Sequence, residues 1–290
     1  LYSATSKRLR DYYGLRSSAA QIIGEQAEQL SERAAKLVAR ADALEITILA
    51  PVDTDYTGRL DRFYEGEPPL LYARGNLQLL HTPCVAMMNS AKPSSESLEY
   101  TLALATRLAE AGQTLVAGTE SASYNVAGLA AKRAGGSAII VVHEGLLTAL
   151  EHRPDREPVP LARFAGEQLD PRRTLLVSPF RLDGRWQKGS GPRRDKLVVA
   201  LAERIVAVDV KAGGTIERLC QEAMRHDRRV FACQFVDRPT RAECANESLI
   251  AAGATPLVAD SAGSNVDLVL AAGEPRSTAR GLGRSRSAPS

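Results

Sequence analysis

The sequence predicts an α/β protein whose core is a doubly wound, mostly parallel sheet, with a small helical unit before it and a disordered tail after it. Short apolar runs alternate with helical periodicity from about residue 44 to residue 273, which is the pattern of strands joined by crossover helices. Residues 18–42 carry a helical stripe of apolar side chains, whereas residues 274–290 carry almost none. At 290 residues the chain is long enough to bury a full α/β core.

The N-terminal unit, residues 1–43, is predicted to be helical. Its apolar side chains recur at alternating steps of four and three residues, which places them on one face of an amphipathic helix over 18–42. The members of this stripe are Ile23, Ala27, Leu30, Ala34, Leu37 and Ala41.

Residues 44–273 are predicted to form a Rossmann-like core. Residues 95–111 and 121–134 have the periodicity of helices. Right-handed crossovers through such helices make the connected strands parallel. The predicted strands are, in chain order, ITIL, CVAMM, TLVAG, AIIVV, TLLVS, RIVAVDV and RVFAC.

Residues 274–290 (EPRSTARGLGRSRSAPS) are predicted to be a disordered basic tail, because they cannot offset the entropy of ordering by burying apolar surface. The net charge of +3 is too small to imply a nucleic-acid partner by itself. The tail is either a non-specific electrostatic grip on nucleic acid or a solvated end. Its arginines are Arg276, Arg280, Arg284 and Arg286.

Composition argues against several classes of protein. No window has the roughly 18 apolar residues of a membrane span, and no signal peptide is apparent, so we expect a cytoplasmic protein without membrane contact. The four cysteines lack C-x-x-C spacing and are expected to be free thiols. The four histidines lack the spacing of metal ligands. We therefore expect no metal site, no cofactor and no catalytic nucleophile.

The segment 64–76, YEGEPPLLYARGN, is the most informative stretch of the chain. Pro68 and Pro69 fix an extended backbone, because each ring locks φ and disfavours helix in the residue before it. Residues 70–72 are expected to be a short buried run, and residues 74–76 a turn.

Together with DTDYTGRL at 53–60, this segment resembles the DprA/Smf (DNA-processing protein A) family, in which "D..YP..L" leads to "PP.LY.RGN". The resemblance extends to about residue 259. It implies a Rossmann-like core that binds single-stranded DNA, protects it and assists RecA loading in transformation or recombination, usually as a homodimer and without catalysis. The winged helix that often follows this core in the family is not expected here. The later positions that agree are Asn246, Leu249, Ile250, Gly253 and Ala254.

Ligands of open α/β sheets bind outside the carboxyl ends of the strands. After CVAMM, Ser90 matches the serine of the family's "VGSR", Ala91 replaces its arginine, and Lys92 is the candidate substitute for the lost charge. After TLVAG, Gly118 is kept, whereas Tyr124 and Gly128 stand where the family has aspartate and histidine. A plain strand-to-helix turn is the alternative at both positions.

Two further strand ends are candidate phosphate sites. Arg193, Arg194 and Lys196 precede an apolar helix where the family has "RNR". Cations oppose the dipole of a helix N-terminus, so a bound anion would explain them. After RIVAVDV, the run 213–215 (Gly213, Gly214, Thr215) is a candidate nest of backbone N–H groups. We expect Arg194 and Lys196 to carry the largest share of DNA affinity, with solvated cations as the alternative.

Trp186 lies among basic residues in the segment 181–188. Such an aromatic side chain is suited to stacking on a base, and a partly buried loop anchor is the alternative.

Two other functions stay open. LOG-type phosphoribohydrolases, which cleave nucleoside monophosphates, carry "RK" about twenty residues before "PGG.GT..E", and this chain has a partial match that ends at Glu217, one residue early. A nucleotide-sensing module that binds without cleaving is the third possibility.

Overall fold

The structure, a computed structural model, describes residues 5–11, 16–151, 170–235, 244–259 and 262–271. The predicted tail lies outside these residues. Within them, no helix is both long enough and apolar enough to cross a membrane.

Three helices form the N-terminal part: α1 (Ser6–Asp11), α2 (Ser17–Glu25) and α3 (Ala27–Ala43). The single helix predicted over 18–42 is therefore wrong, because two helices meet at Gln26, whose φ of −119° is not helical. Gly24 lies against the side chain of Ser6 of α1, whose hydroxyl would have to rotate away to admit a Cβ. Glycine is a poor helix former, so Gly24 also lowers the helix propensity of the last turn of α2, at the point where α1 crosses it.

Within the described residues, nine strands form one sheet in the order β1-β2-β6-β5-β4-β3-β7-β8-β9. The seven strands from β6 to β9 pair in parallel, whereas β1 and β2 are antiparallel additions at the β6 edge. The doubly wound, mostly parallel α/β fold is thus confirmed. The strands are β1 (Thr47–Leu49), β2 (Leu71–Gly75), β3 (Cys84–Asn89), β4 (Thr114–Gly118), β5 (Ser137–Val141), β6 (Thr174–Ser178), β7 (Arg204–Asp209), β8 (Arg229–Gln234) and β9 (Thr255–Val258).

All seven predicted strands are present, and two others were missed. Strand β9 is short and contains Pro256. Strand β2 includes residues that the sequence assigned to a turn, because Arg74 and Gly75 pair with Leu176 and Leu175 of β6. The turn itself begins at Asn76. The expectation of a buried run at 70–72 is also wrong, since Leu71 is buried whereas Leu70, which precedes β2, is about half exposed.

The helices that follow the strands form two groups. Helix α5 packs against α6 and α11, and α8 packs against α4 and α9. The connections through α5 and α6 run from β3 toward β5, whereas those through α8 and α9 run in the opposite direction across the sheet, toward β8. Right-handed crossovers therefore place α5 and α6 on one face of the sheet and α8 and α9 on the other. The bounds are α4 (Gly58–Phe63), a 3-10 helix (Leu77–His81), α5 (Ser95–Glu110), α6 (Ala122–Arg133), α7 (Leu146–Glu151), α8 (Ser190–Leu201), α9 (Thr215–Arg225), α10 (Asn246–Ala251) and α11 (Ala262–Ala271).

Candidate nucleic-acid interface

The candidate site lies at the carboxyl edge of the parallel strands. Strand β3 is flanked by β4 on one side and β7 on the other. The connection that leaves β3 leads to β4, and the connection that leaves β7 leads to β8, in the opposite direction across the sheet. A crevice opens at such a switch point, and ligands of this fold class bind there. Three of the four predicted strand ends, those of β3, β4 and β7, meet at this point, and the N-terminus of α8 supplies the fourth group.

The end of β3 is tied to the end of β7. Ser90 donates its backbone N–H to the carbonyl of Asp209 at 2.9 Å, and its hydroxyl accepts the backbone N–H of Lys211 at 2.6 Å. The Asp209 carboxylate is buried and accepts a hydrogen bond from Ser97 Oγ at 3.0 Å. Lys92 is exposed, with no ion-pair partner among the described residues. The serine therefore braces the switch point, while the lysine faces solvent.

Asn89 stands at the family's glycine position. Its amide Nδ2 donates to Thr101 Oγ1 of α5 at 3.1 Å, and the strand register shifts between Met88 and Asn89. Its Oδ1 is buried and has no hydrogen-bond partner among the described residues. The asparagine side chain therefore points toward α5 and not into the crevice.

Gly118, at the end of β4, allows a buried ion pair to form. A Cβ on Gly118 would lie 2.7 Å from Arg194 Cδ and 2.8 Å from Tyr124 Cδ2. Arg194 is buried and bonds through Nε and Nη2 to Asp195 Oδ1 at 3.0 and 2.8 Å, while its Nη1 donates to the carbonyl of Thr119. The Tyr124 hydroxyl donates to the same Asp195 oxygen at 2.9 Å. Burial first, and then the Asp195 charge, raise the pKa of Tyr124.

Arg194 therefore has a different setting from the one that the sequence suggested. Its charge is balanced by Asp195 and its guanidinium is directed into the protein, below the ring of Tyr124, with 5.1 Å between the guanidinium carbon and the ring centroid. Tyr124 occupies the position at which the family pattern has aspartate.

Lys196 lies on another side of α8. Its Nζ is 2.9 Å from Glu222 Oε1, and it lies over the rings of Tyr64 and Phe63 at 5.0 and 5.7 Å. Glu222 is seven residues into α9, about 10 Å from the helix N-terminus at 1.5 Å per residue. Lys196 and Arg194 therefore do not converge on one ligand in this structure.

The glycine run at the start of α9 already holds an anion from the protein itself. Gly213, with φ of +71°, donates its backbone N–H to Glu217 Oε2 at 2.6 Å. The other carboxylate oxygen accepts a hydrogen bond from Ser248 Oγ at 2.9 Å. Gly214 is the N-cap of α9 and Thr215 its first residue. In the predicted phosphate nest, the Gly213 N–H is therefore taken by Glu217, and the Gly214 N–H donates to the carbonyl of Lys211 at 3.2 Å.

The loop from β6 to α8 and the first turn of α8 bring exposed cations to the same edge. Arg193 is exposed, with its guanidinium carbon 4.7 Å from the centroid of the Phe180 ring. Trp186 is 60% exposed, so most of its ring faces solvent. Sequence reasoning noted the basic character of this loop without choosing individual cations. A signal was present, since residues 184–194 contain no acidic residue. The exposed cations beside the tryptophan are Arg185 and Lys188.

Among the described residues, no group of three or more His, Cys, Asp or Glu side chains is arranged to hold a metal ion. The cysteines are free: Cys84, Cys220 and Cys233 are buried, and Cys244 is half-buried. Burial raises the pKa of Cys220 to about 12, so this thiol stays protonated and unreactive near neutral pH.

The parallel sheet, its switch point between β3 and β7 and the helix N-termini at the carboxyl edge define a Rossmann-type α/β protein. Residues 47–265 match the model of one family, DNA recombination-mediator protein A. The chain belongs to this family, as the segment 64–76 predicted.

Relatives and solved structures agree with this assignment. Protein Smf of Escherichia coli K12 is 28% identical over 167 residues, which cover 57% of this chain and 42% of that protein. DNA processing protein DprA of Streptococcus pneumoniae R6 is 26% identical over 184 residues, covering 62% of this chain and 60% of that protein. The chain thus spans about half the length of these curated relatives.

Two solved structures share the fold. DprA from Streptococcus pneumoniae superposes with a TM-score of 0.69 at 21% identity, covering 92% of this chain and 86% of that one. DNA processing protein A from Helicobacter pylori, described for its single-stranded DNA binding mode, superposes with a TM-score of 0.61 at 20% identity, covering 79% and 97%. At these identities the likeness is one of fold.

Proposed function

We propose that this chain is a DNA-processing protein that binds single-stranded DNA at the carboxyl edge of its sheet. The observation that carries the proposal is the family match over residues 47–265, together with a set of exposed cations at that edge. The Helicobacter pylori neighbour, described for its single-stranded DNA binding, supports it. The exposed cations are Lys92, Arg185, Lys188 and Arg193.

Binding of this kind is driven by release of counterions from the phosphates, so affinity falls as salt rises. Lys92 and Arg193 face solvent and keep their charge available for a phosphate. Arg194 and Lys196 have internal acidic partners at 2.8 and 2.9 Å. The prediction that Arg194 and Lys196 carry most of the affinity stays a prediction, and we propose instead that the exposed pair contributes the larger share.

Two double variants separate these possibilities. Lys92→Gln/Arg193→Gln removes two exposed charges, and Arg194→Gln/Lys196→Gln removes two internally paired charges. Loss of two single-strand phosphate contacts lowers the slope of log affinity against log salt by about 1.4, at about 0.7 per contact. We expect that change for the first variant. The same loss in the second variant alone would restore the original assignment.

Fluorescence anisotropy with a labelled oligo-dT at several salt concentrations tests the proposal as a whole. We expect tight binding at low salt, a steep loss with added salt, and no competition from a nucleoside monophosphate. An oligonucleotide that does not bind at low salt, or one that a mononucleotide displaces, would overturn the proposal and favour the nucleotide-sensing alternative.

We further propose that the protein acts in transformation or recombination by protecting DNA and assisting RecA loading, and that it does so as a homodimer. The family description as a recombination mediator supports the first part. The measurements are RecA filament formation on protein-coated single strands and the solution mass by light scattering. A monomeric mass, or coated strands that load RecA no faster than naked ones, would contradict these parts.

We propose no catalytic activity. A LOG-type hydrolase needs a carboxylate that is free to act as acid or base at the substrate, since geometry comes before pKa. Glu217 instead bonds to Gly213 N and Ser248 Oγ. Incubation with nucleoside monophosphates should therefore release no free base, and detectable release by chromatography would support the hydrolase alternative.

A further inference from the structure

The tip of the loop between β6 and α8 presents an indole ring to solvent. Trp186 is the single tryptophan of the chain, and 60% of it is exposed. Aromatic side chains of this size normally bury most of their area. Both neighbours, Arg185 and Gln187, are exposed as well, so the ring is flanked along the chain by exposed polar side chains.

The loop that carries this ring is anchored on both sides. Before the tip, Leu182 is 5% exposed and its carbonyl accepts the backbone N–H of Leu147 at 3.0 Å, while the carbonyl of Gly184 accepts that of Gly145 at 2.8 Å. After the tip, Gln187 N donates to Ser190 Oγ at 3.1 Å, and Ser190 N donates back to the Gln187 carbonyl at 2.9 Å. An anchored ring loses little freedom when it binds.

The charge around the ring favours a polyanion. Residues 184–194 contain four basic residues and no acidic one. Of these four, Arg194 is balanced by Asp195, and Arg185 and Lys188 have no ion-pair partner among the described residues. An aromatic face between two unpaired cations matches the repeat of a single strand, in which each base has a π-face and each sugar carries a phosphate.

We infer that Trp186 is a base-stacking platform for single-stranded nucleic acid, with Arg185 and Lys188 on the flanking phosphates. This inference rests on the proposed function and adds to it a specific contact with the bases. A duplex does not expose its base faces, so the platform selects single strands over double strands.

The test uses the intrinsic fluorescence of the parent 290-residue chain, because its one tryptophan is Trp186. Saturating oligo-dT should quench this fluorescence, whereas an abasic oligonucleotide of equal length, which offers the same phosphates without bases, should bind and leave it nearly unchanged. A duplex of the same length should behave like the abasic strand.

Three variants complete the test, read by anisotropy. Trp186→Ala should weaken oligo-dT binding by about 5- to 150-fold, the loss typical of one stacked base, with an unchanged salt slope because no charge is removed. Trp186→Phe keeps an aromatic face and should keep most of the affinity. Arg185→Gln/Lys188→Gln should lower the salt slope by about 1.4. The exposed position of Trp186 makes misfolding of its variants no concern.

The outcomes separate this inference from the proposed function. Salt-dependent binding by the parent, with equal fluorescence in oligo-dT and in the abasic strand and with Trp186→Ala binding as the parent does, would overturn the platform and leave the DNA-binding proposal standing. Failure of the parent to bind any oligonucleotide would overturn both.

Discussion

Gly75, the last residue of β2, makes the sharpest test of how the segment 64–76 is built. Its φ is +110°, and a Cβ would lie under 3.0 Å from the carbonyl oxygen of Thr174 and 3.3 Å from its carbon. Those atoms are backbone of β6 across the antiparallel pairing, so they cannot rotate away. Gly75→Ala therefore adds both a strained dihedral and a clash. Gly66 separates the two effects, since its φ is +89° and nothing lies within 4 Å of its Cβ position.

The magnitudes follow from those two effects. A positive φ costs a residue with a Cβ about 1–2 kcal/mol, and this is the whole expected cost of Gly66→Ala. Forcing an extra methyl group into packed structure adds about 1–3 kcal/mol, so Gly75→Ala should lose about 2–5 kcal/mol. A typical domain has a free energy of unfolding of about 5–15 kcal/mol, so both variants are expected to fold.

Urea unfolding followed by circular dichroism measures both variants against the parent. The expected result is a midpoint for Gly75→Ala well below that of Gly66→Ala, with equal slopes. If the two variants lost the same free energy, the approach of β2 to β6 at Gly75 would not be the reason for the glycine, and the reasoning from the clash would be refuted.

Three further predictions concern the site and the core. Gly118→Ala should lose about 1–3 kcal/mol by displacing Arg194, with Gly191→Ala, whose Cβ position is open, as the control; equal unfolding midpoints would contradict it. Glu217→Gln should weaken the N-terminus of α9 by about 0.3–1 kcal/mol and tighten oligo-dT binding in anisotropy; unchanged values of both would argue against Glu217 as an internal anion. The pKa of Cys220 is about 12 in the fold against 9.0 for an ordinary thiol, so its contribution is full below pH 9 and falls by about 1.4 kcal/mol per pH unit between pH 9 and 12. Urea unfolding of Cys220→Ala should show a shallower loss over that range, and a parallel loss would refute the assignment.

Much of the fold was predictable because buried strands and helices require a recognisable local spacing of apolar residues. Seven runs of apolar residues became strands, and 95–111 and 121–134 became α5 and α6 within a residue or two. The missed strands are those whose apolar pattern is interrupted: β9 contains Pro256, and β2 contains Arg74 and Gly75. These strands exist because a neighbouring strand supplies hydrogen bonds, which no local pattern records. The break at Gln26 likewise accompanies the close approach of α1 to Gly24.

The candidate site divides in the same way. The Glu217 contact with Gly213 spans four residues, and a glutamate three residues after an N-cap is a capping signal that sequence reasoning could have used. The setting of Arg194 was beyond such reasoning, because Tyr124, which bonds to the Asp195 partner of this arginine, lies 71 residues before Asp195 in the chain.

The sequence by itself determined the family and six of the seven parallel strands, because apolar spacing and the segment 64–76 are local properties of the chain. It also pointed to the carboxyl edge of the sheet, where we propose that DNA binds. Only the tertiary structure decided which basic side chains face solvent. Arg194 and Lys196 turn toward Asp195 and Glu222, while Trp186 is left exposed at the loop tip. The physical reason is that the availability of a charge depends on which partners the fold brings near it, and those partners can lie anywhere in the chain.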